Sequence, residues 1–214
     1  MRMSPSIRKL NLTAHLISSI GWVGALAVFL AHSVVSVASH DVQIVRSACI
    51  AMGITAWFVI LPFSLASLLT GVLQSLGTAW GLMRHYWVVI KLLLTVVATA
   101  VLLLKLAPIS SLAAAATALT FTATELLELK ASLLVHAGGG LFILLATTVL
   151  AIYKPAGTTP RGAKQSHGKS TASAGQIGIP LWVKSFAMAS LLFLLVVLVL
   201  LHGGHDPGAH IQHG

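Results

Sequence analysis

The residues of this chain that could do chemistry are mostly histidines, and four stretches set them in a pattern that suggests a site. The stretch "HLISSIGWVGA" opens on His15, and Trp22 follows seven residues later. On a helix that spacing puts the two within about 20° of one another. Ser18 and Ser19 flank that line, and Gly21 and Gly24 let a neighbouring helix approach. A small, polar face inside an apolar helix belongs against other helices, not lipid. An imidazole placed there can ligate a metal or haem iron, relay a proton, or tie two helices together. The sequence leaves these roles open. The second place is "VHAGGGLFILLATT", where His136 stands beside three glycines, with Gly140 one turn on along the same face. Such glycines leave room for a flat ligand such as a porphyrin or quinone, and they equally permit close helix packing.

The third place is "RHYWVVIK", which carries His85 and Lys91 at the edge of an apolar run. Trp80, Tyr86 and Trp87 suit the headgroup level of a bilayer, Arg84 can pair with lipid phosphate, and Lys91 can extend outward along its methylenes. This is a membrane-border pattern, and it becomes a site if His85 or Lys91 turns inward. The fourth is the tail "HGGHDPGAHIQHG", with His202, His205, His210 and His213. Neutral imidazoles bind transition metals readily, although this spacing fits no closed zinc module.

Depth limits how these groups combine. At about 1.5 Å per residue, His15 lies roughly 5 Å into an apolar core from one side and His136 roughly 10 Å in from the other. Across a core of about 30 Å they differ by roughly 15 Å in depth. One haem ligated by both is therefore not expected. Depth pairs His15 with His85 or Lys91, and His136 with His32. There is no phosphate loop, GxSxG elbow or HExxH motif. The four acids, Asp41, Glu125, Glu128 and Asp206, all fall on one side, which excludes paired-carboxylate chemistry in the membrane. Cys49 is alone and reads as a small buried apolar residue.

The elements that position these residues are membrane spans. The chain is 57% hydrophobic and 8% charged, against roughly 25% charged in soluble domains. Its partner is therefore a lipid bilayer. The net charge of +9 does not indicate nucleic acid, because the cations sit in short clusters between apolar runs. Five runs, at 11–36, 47–73, 86–107, 130–152 and 181–202, are each long enough to cross as a helix. The first is too long for the apolar region of a signal peptide and no clear cleavage site follows it.

Arg2, Arg8, Lys9, Arg84, Lys91, Lys154, Arg161, Lys164, Lys169 and Lys184 fall on one side, and only Arg46, Lys105 and Lys130 on the other. The positive side faces the cytoplasm, so the N-terminus is inside and the C-terminus outside a bacterial inner membrane. Residues 108–128 read as a short helix on the outer surface, separated from the third span by Pro108. Residues 153–180 read as a flexible cytoplasmic loop, and 203–214 as a His-rich tail. The expected fold is all-α: a polytopic transmembrane bundle of five spans plus a short surface helix, forming one domain.

The stretches "HLISSIGWVGALAVFLAH", "LLTGVLQSLGTAWGLMRHYWVVIKL" and "HAGGGLFILLATTVLAIYKPAGTTPRG" together resemble an uncharacterised family of small bacterial integral membrane proteins, common in actinobacteria. The resemblance covers most of residues 11–162 and implies no particular activity. More distantly, the chain is similar to the haem-binding membrane protoporphyrinogen oxidase of bacteria and to the copper-resistance protein D family. His15, Trp22, Gly24, Trp87, Lys91 and Leu92 carry that similarity. It implies a haem b near His15 with Lys91 close by. The oxidase pattern has a histidine two residues before the lysine, where this chain has Val89, and its proline-arginine after the first helix is missing.

The leading expectation is a bundle centred on His15 and His136 that binds a b-type haem or a transition metal and serves electron transfer. The rivals are a metal or small-solute transporter, for which the His-rich tail speaks, and a non-catalytic subunit of a membrane complex or homo-oligomer.

Overall fold

The computed structural model describes residues 4–77, 85–118, 120–124 and 126–153, together with 181, 185 and 188. The chain divides into two units, Met1–Ile177 and Gly178–Gly214. In the second, Ser185 Oγ donates to the Leu181 carbonyl at 3.1 Å, four residues back as in a helix. The loop expected over 153–180, apart from Tyr153, and the tail with His202, His205, His210 and His213 lie outside the described residues.

Among the described residues, the extended elements of the first unit are helices. Helix α1 spans Pro5–Ala38. Proline suits its first position because that N–H has no helical partner, and Ser4 caps it by accepting from the Ile7 N–H at 3.4 Å. The chain turns back at once, and Asp41 caps α2 (Val42–Thr55) by accepting from the Gln43 and Ile44 N–H groups at 2.8 and 3.2 Å. A π turn, Ala56–Ile60, links α2 to α3 (Leu61–Gly77) without a break. Pro62 explains the widening. It has no N–H to give the Phe58 carbonyl four residues earlier, and its ring would strike that carbonyl in an ordinary α turn. The Leu61 N–H bonds instead to the Ala56 carbonyl, five residues back. Helix α4 is Tyr86–Ala115 and α5 is Leu127–Tyr153.

Four helical stretches, counting α2 to α3 as one, are long and apolar enough to cross a membrane. They enclose the first four expected runs. Pro108 does not end the third span: α4 continues through it to Ala115, and the described residues between there and Leu126 form turns and irregular chain. A separate surface helix over 108–128 is therefore not formed. Ending a helix frees several backbone groups, whereas one proline within it frees essentially one carbonyl, so in apolar surroundings continuation is the smaller penalty.

Antiparallel pairing runs throughout. Helix α1 packs most extensively on α3, then on α5 and α2, while α4 joins α5 and the α2–α3 helix. Trp22 and Phe29 of α1, Cys49 and Met52 of α2, Leu112 of α4 and Leu133 of α5 fill the centre. Large apolar residues also face outward, among them Leu10, Ile20, Phe58, Leu104 and Ile152. That outer surface suits lipid and not water.

Candidate functional site

Helices α1 and α3 meet along a polar seam. Asn11, His15 and Ser19 recur every four residues on α1 and so share one face. Opposite them lie Gln74, Thr70 and Ser67 of α3. Asn11 Nδ2 donates to the Gln74 Oε1 at 2.8 Å and to the Thr70 carbonyl at 3.0 Å. His15 Nδ1 lies 3.1 Å from both the Ser67 carbonyl and Thr70 Oγ1. The Ser19 and Ser67 hydroxyls are 2.8 Å apart. Gly71 provides the seat for the imidazole: a Cβ there would stand 3.1 Å from His15 Cε1. Beyond Ser19 the seam is closed by Phe63, whose ring rests on Gly21, where a Cβ would come within 2.8 Å.

These contacts fix the His15 tautomer. A carbonyl oxygen only accepts, and the Thr70 hydroxyl is already 2.6 Å from the Ala66 carbonyl, to which it donates. Nδ1 of a neutral imidazole must therefore carry the hydrogen, and Nε2 holds the lone pair. Lys91 stands close enough to His15 for its charge to be felt there. His85 sits at the N-terminal cap of α4, its ring 6.4 Å from that of Trp87.

Trp22, which shares a helical line with His15, is only 3% exposed and belongs to the apolar core. His15 faces α3 instead, so the two do not form one site. His136 is half-buried on α5, with Nδ1 2.6 Å from the Ser132 carbonyl of its own helix. The glycine face beside it is occupied. Leu26 of α1 lies 3.2 Å from where a Gly140 Cβ would be, and Leu30 lies 4.0 Å from that of Gly138. Of the two roles open to those glycines, close helix packing is the one realised at these positions.

The same contacts set the register. Leu26 opposite Gly140 and Leu30 opposite Gly138 place His136 at the level of His32. His15 is then seventeen residues away along α1 (32 − 15), or roughly 25 Å. The separation exceeds the roughly 15 Å expected from the sequence, and the two histidines cannot flank one iron.

Two cations carry structure that their sequence positions do not suggest. Lys130, at the start of α5, is fully buried. Its Nζ donates to the Ala123 carbonyl at 2.9 Å and stands 4.9 Å from the centroid of the Phe121 ring. Arg46 of α2 donates from Nη2 to the Ala118 carbonyl at 2.7 Å. Together they hold the 116–126 connection against the end of the bundle. Leu126 in that connection has a φ of 54°, a left-handed conformation unusual for leucine.

Among the described residues, no three or more His, Cys, Asp or Glu side chains come together to hold a metal ion. The donor available at the seam is a single oriented imidazole. No family model, no curated protein and no solved structure matches this chain.

Proposed function

We propose that this is an integral membrane protein that uses His15, on the cytoplasmic side of a five-span bundle, as an imidazole ligand to a b-type haem serving electron transfer. The observation that carries the reading is the anchoring of Nδ1 by the Ser67 carbonyl of another helix. Proteins orient metal-ligating histidines in this way, fixing the tautomer and presenting the other nitrogen. The donor set favours haem over a bare ion, because haem brings four nitrogens of its own and needs one or two from protein. Lys91 supplies a positive charge suited to a carboxylate of such a group. The filled faces at Gly138 and Gly140 do not fit a macrocycle between His15 and His136, so His136 is not its second ligand. A haem would supply one-electron chemistry; the chain's own part is to orient one imidazole.

The test is the visible spectrum of the detergent-purified protein, before and after adding haem. A Soret band present in wild type and in His136→Ala, and lost in His15→Ala, is expected. No band in any sample, even after reconstitution, would overturn the reading.

A second reading rests on the mutual pairing of the seam's polar groups, which is also how helices lock together. The protein would then be a non-catalytic subunit of a membrane complex. His15→Ala would lower the abundance of that complex and change no spectrum.

A further inference from the structure

Two acceptors of different kinds converge on His15. The Ser67 carbonyl belongs to the α3 backbone, so no substitution removes it. Thr70 Oγ1 is a side-chain atom at the same 3.1 Å from Nδ1. Its hydrogen is committed along its own helix, with the oxygen 2.6 Å from the Ala66 carbonyl and 3.3 Å from the Ser67 carbonyl. The hydroxyl therefore turns lone pairs, not a hydrogen, toward the ring. The backbone at this position is held as well, because Asn11 Nδ2 donates to the Thr70 carbonyl at 3.0 Å.

These contacts decide which nitrogen the site offers. Cε1 is the ring atom nearest α3 at Gly71, 3.1 Å from where a Cβ would be, with Nδ1 at 3.6 Å and Nε2 at 3.9 Å. Half a turn about the Cβ–Cγ bond would exchange Nε2 with Cε1 and Nδ1 with Cδ2. Nε2 would then lie against Gly71, and both acceptors would face a C–H group. The two orientations have nearly the same outline, so packing does not choose between them. Hydrogen bonds choose, and Thr70 supplies one of the two. One net hydrogen bond weights such a choice about fivefold.

We propose that Thr70 is the positioning residue of this site: its hydroxyl holds the His15 imidazole with Nε2 presented to a ligand. The role rests on the reading of His15 as a haem ligand, yet it is visible in the haem-free protein.

The test uses full-length protein labelled with 15N-histidine and purified in detergent without haem, with His15 assigned by comparison with His15→Gln. Thr70→Val keeps the branched shape and removes the acceptor, while the Ala66 carbonyl retains the ordinary helical bond from the backbone N–H four residues on. In this variant the Nδ1 proton should move upfield. The two ring 15N shifts should move toward each other, with the minor tautomer rising about fivefold. Thr70→Ser should restore both signals. A packing defect would not be repaired by serine, which is smaller than valine, and circular dichroism melting shows that each variant folds. On addition of haem, Thr70→Val should bind about tenfold more weakly than wild type, with Thr70→Ser close to wild type. Unchanged His15 resonances in Thr70→Val would overturn the proposal, as would wild-type haem affinity in a variant whose resonances have moved. If wild type takes up no haem, the haem reading falls, and the resonances of the haem-free protein decide the role of Thr70 on their own.

Discussion

At the scale of single residues, the chemistry of this chain depends on which nitrogen of each histidine is committed to a carbonyl. His15 differs from His32 and His136 because its carbonyl comes from a different helix, through Ser67, while the other two bond four residues back on their own helices. Its orientation is therefore a tertiary property. The seam around it should be measurable. In a double-mutant cycle of Asn11→Leu and Gln74→Leu, the coupling in detergent unfolding should be about 0.6 kcal/mol, as for hydrogen bonds between membrane helices. No coupling would mean that the amide pair does not form. Lys130→Met should destabilise the protein by about 2 kcal/mol, because the charge-assisted bond to the Ala123 carbonyl is lost inside the fold. Half of this site was legible in the sequence. His15 and the serines beside it announce a polar face, while their partners are dispersed through an apolar run. The run "SLASLLTGVLQ" contained that signal, since Ser67, Thr70, Gly71 and Gln74 fall on one side at helical spacing. Burial of Lys130 was not legible, because a lysine at the start of an apolar run looks the same whether it reaches for solvent or folds inward.

At the scale of elements, apolar runs located the helices well and prolines misled. Pro108 reads in the sequence as a helix end and lies inside one, whereas Pro62 falls in the middle of an apolar run and sits just after a π turn. Both outcomes have one cause: in an apolar medium a helix distorts locally before it stops. A π turn holds one residue more than an α turn needs. Deleting Val59 together with Pro62→Ala, which removes the ring and restores the missing N–H, should let α2 and α3 join in regular α geometry and leave the 15N shifts of His15 unchanged. Deleting Leu65, inside α3, should turn everything after it by about 100° and abolish the Ser67–His15 contact. If both deletions alter His15 alike, the π turn is not the slack in this helix. The α1–α5 contact gives a second check. Gly140→Leu should destabilise by about 1–3 kcal/mol, since Leu26 already occupies that space.

At the scale of the whole molecule, the account requires the 116–126 connection and the 154–180 segment to lie on opposite sides of the bilayer. Charge alone predicts this, with the second of these segments on the cytoplasmic side. Cys49, the chain's one cysteine, is buried, so the wild type offers little background to a thiol reagent. In intact cells, Thr117→Cys should react with an impermeant maleimide, and Ser166→Cys should react only after the membrane is opened. The reverse pattern would invert the molecule and move His15 to the outer side.

The claim on which the functional reading depends is that the Nε2 of His15 meets iron. The most direct measurement is chemical rescue in the cavity variant His15→Gly. Reconstituted with haem, this variant should lack the wild-type Soret and visible bands and regain them on addition of free imidazole, while His136→Gly should keep them throughout. If His15→Gly holds haem with the wild-type spectrum and imidazole changes nothing, His15 is not a ligand and the seam is a lock between two helices.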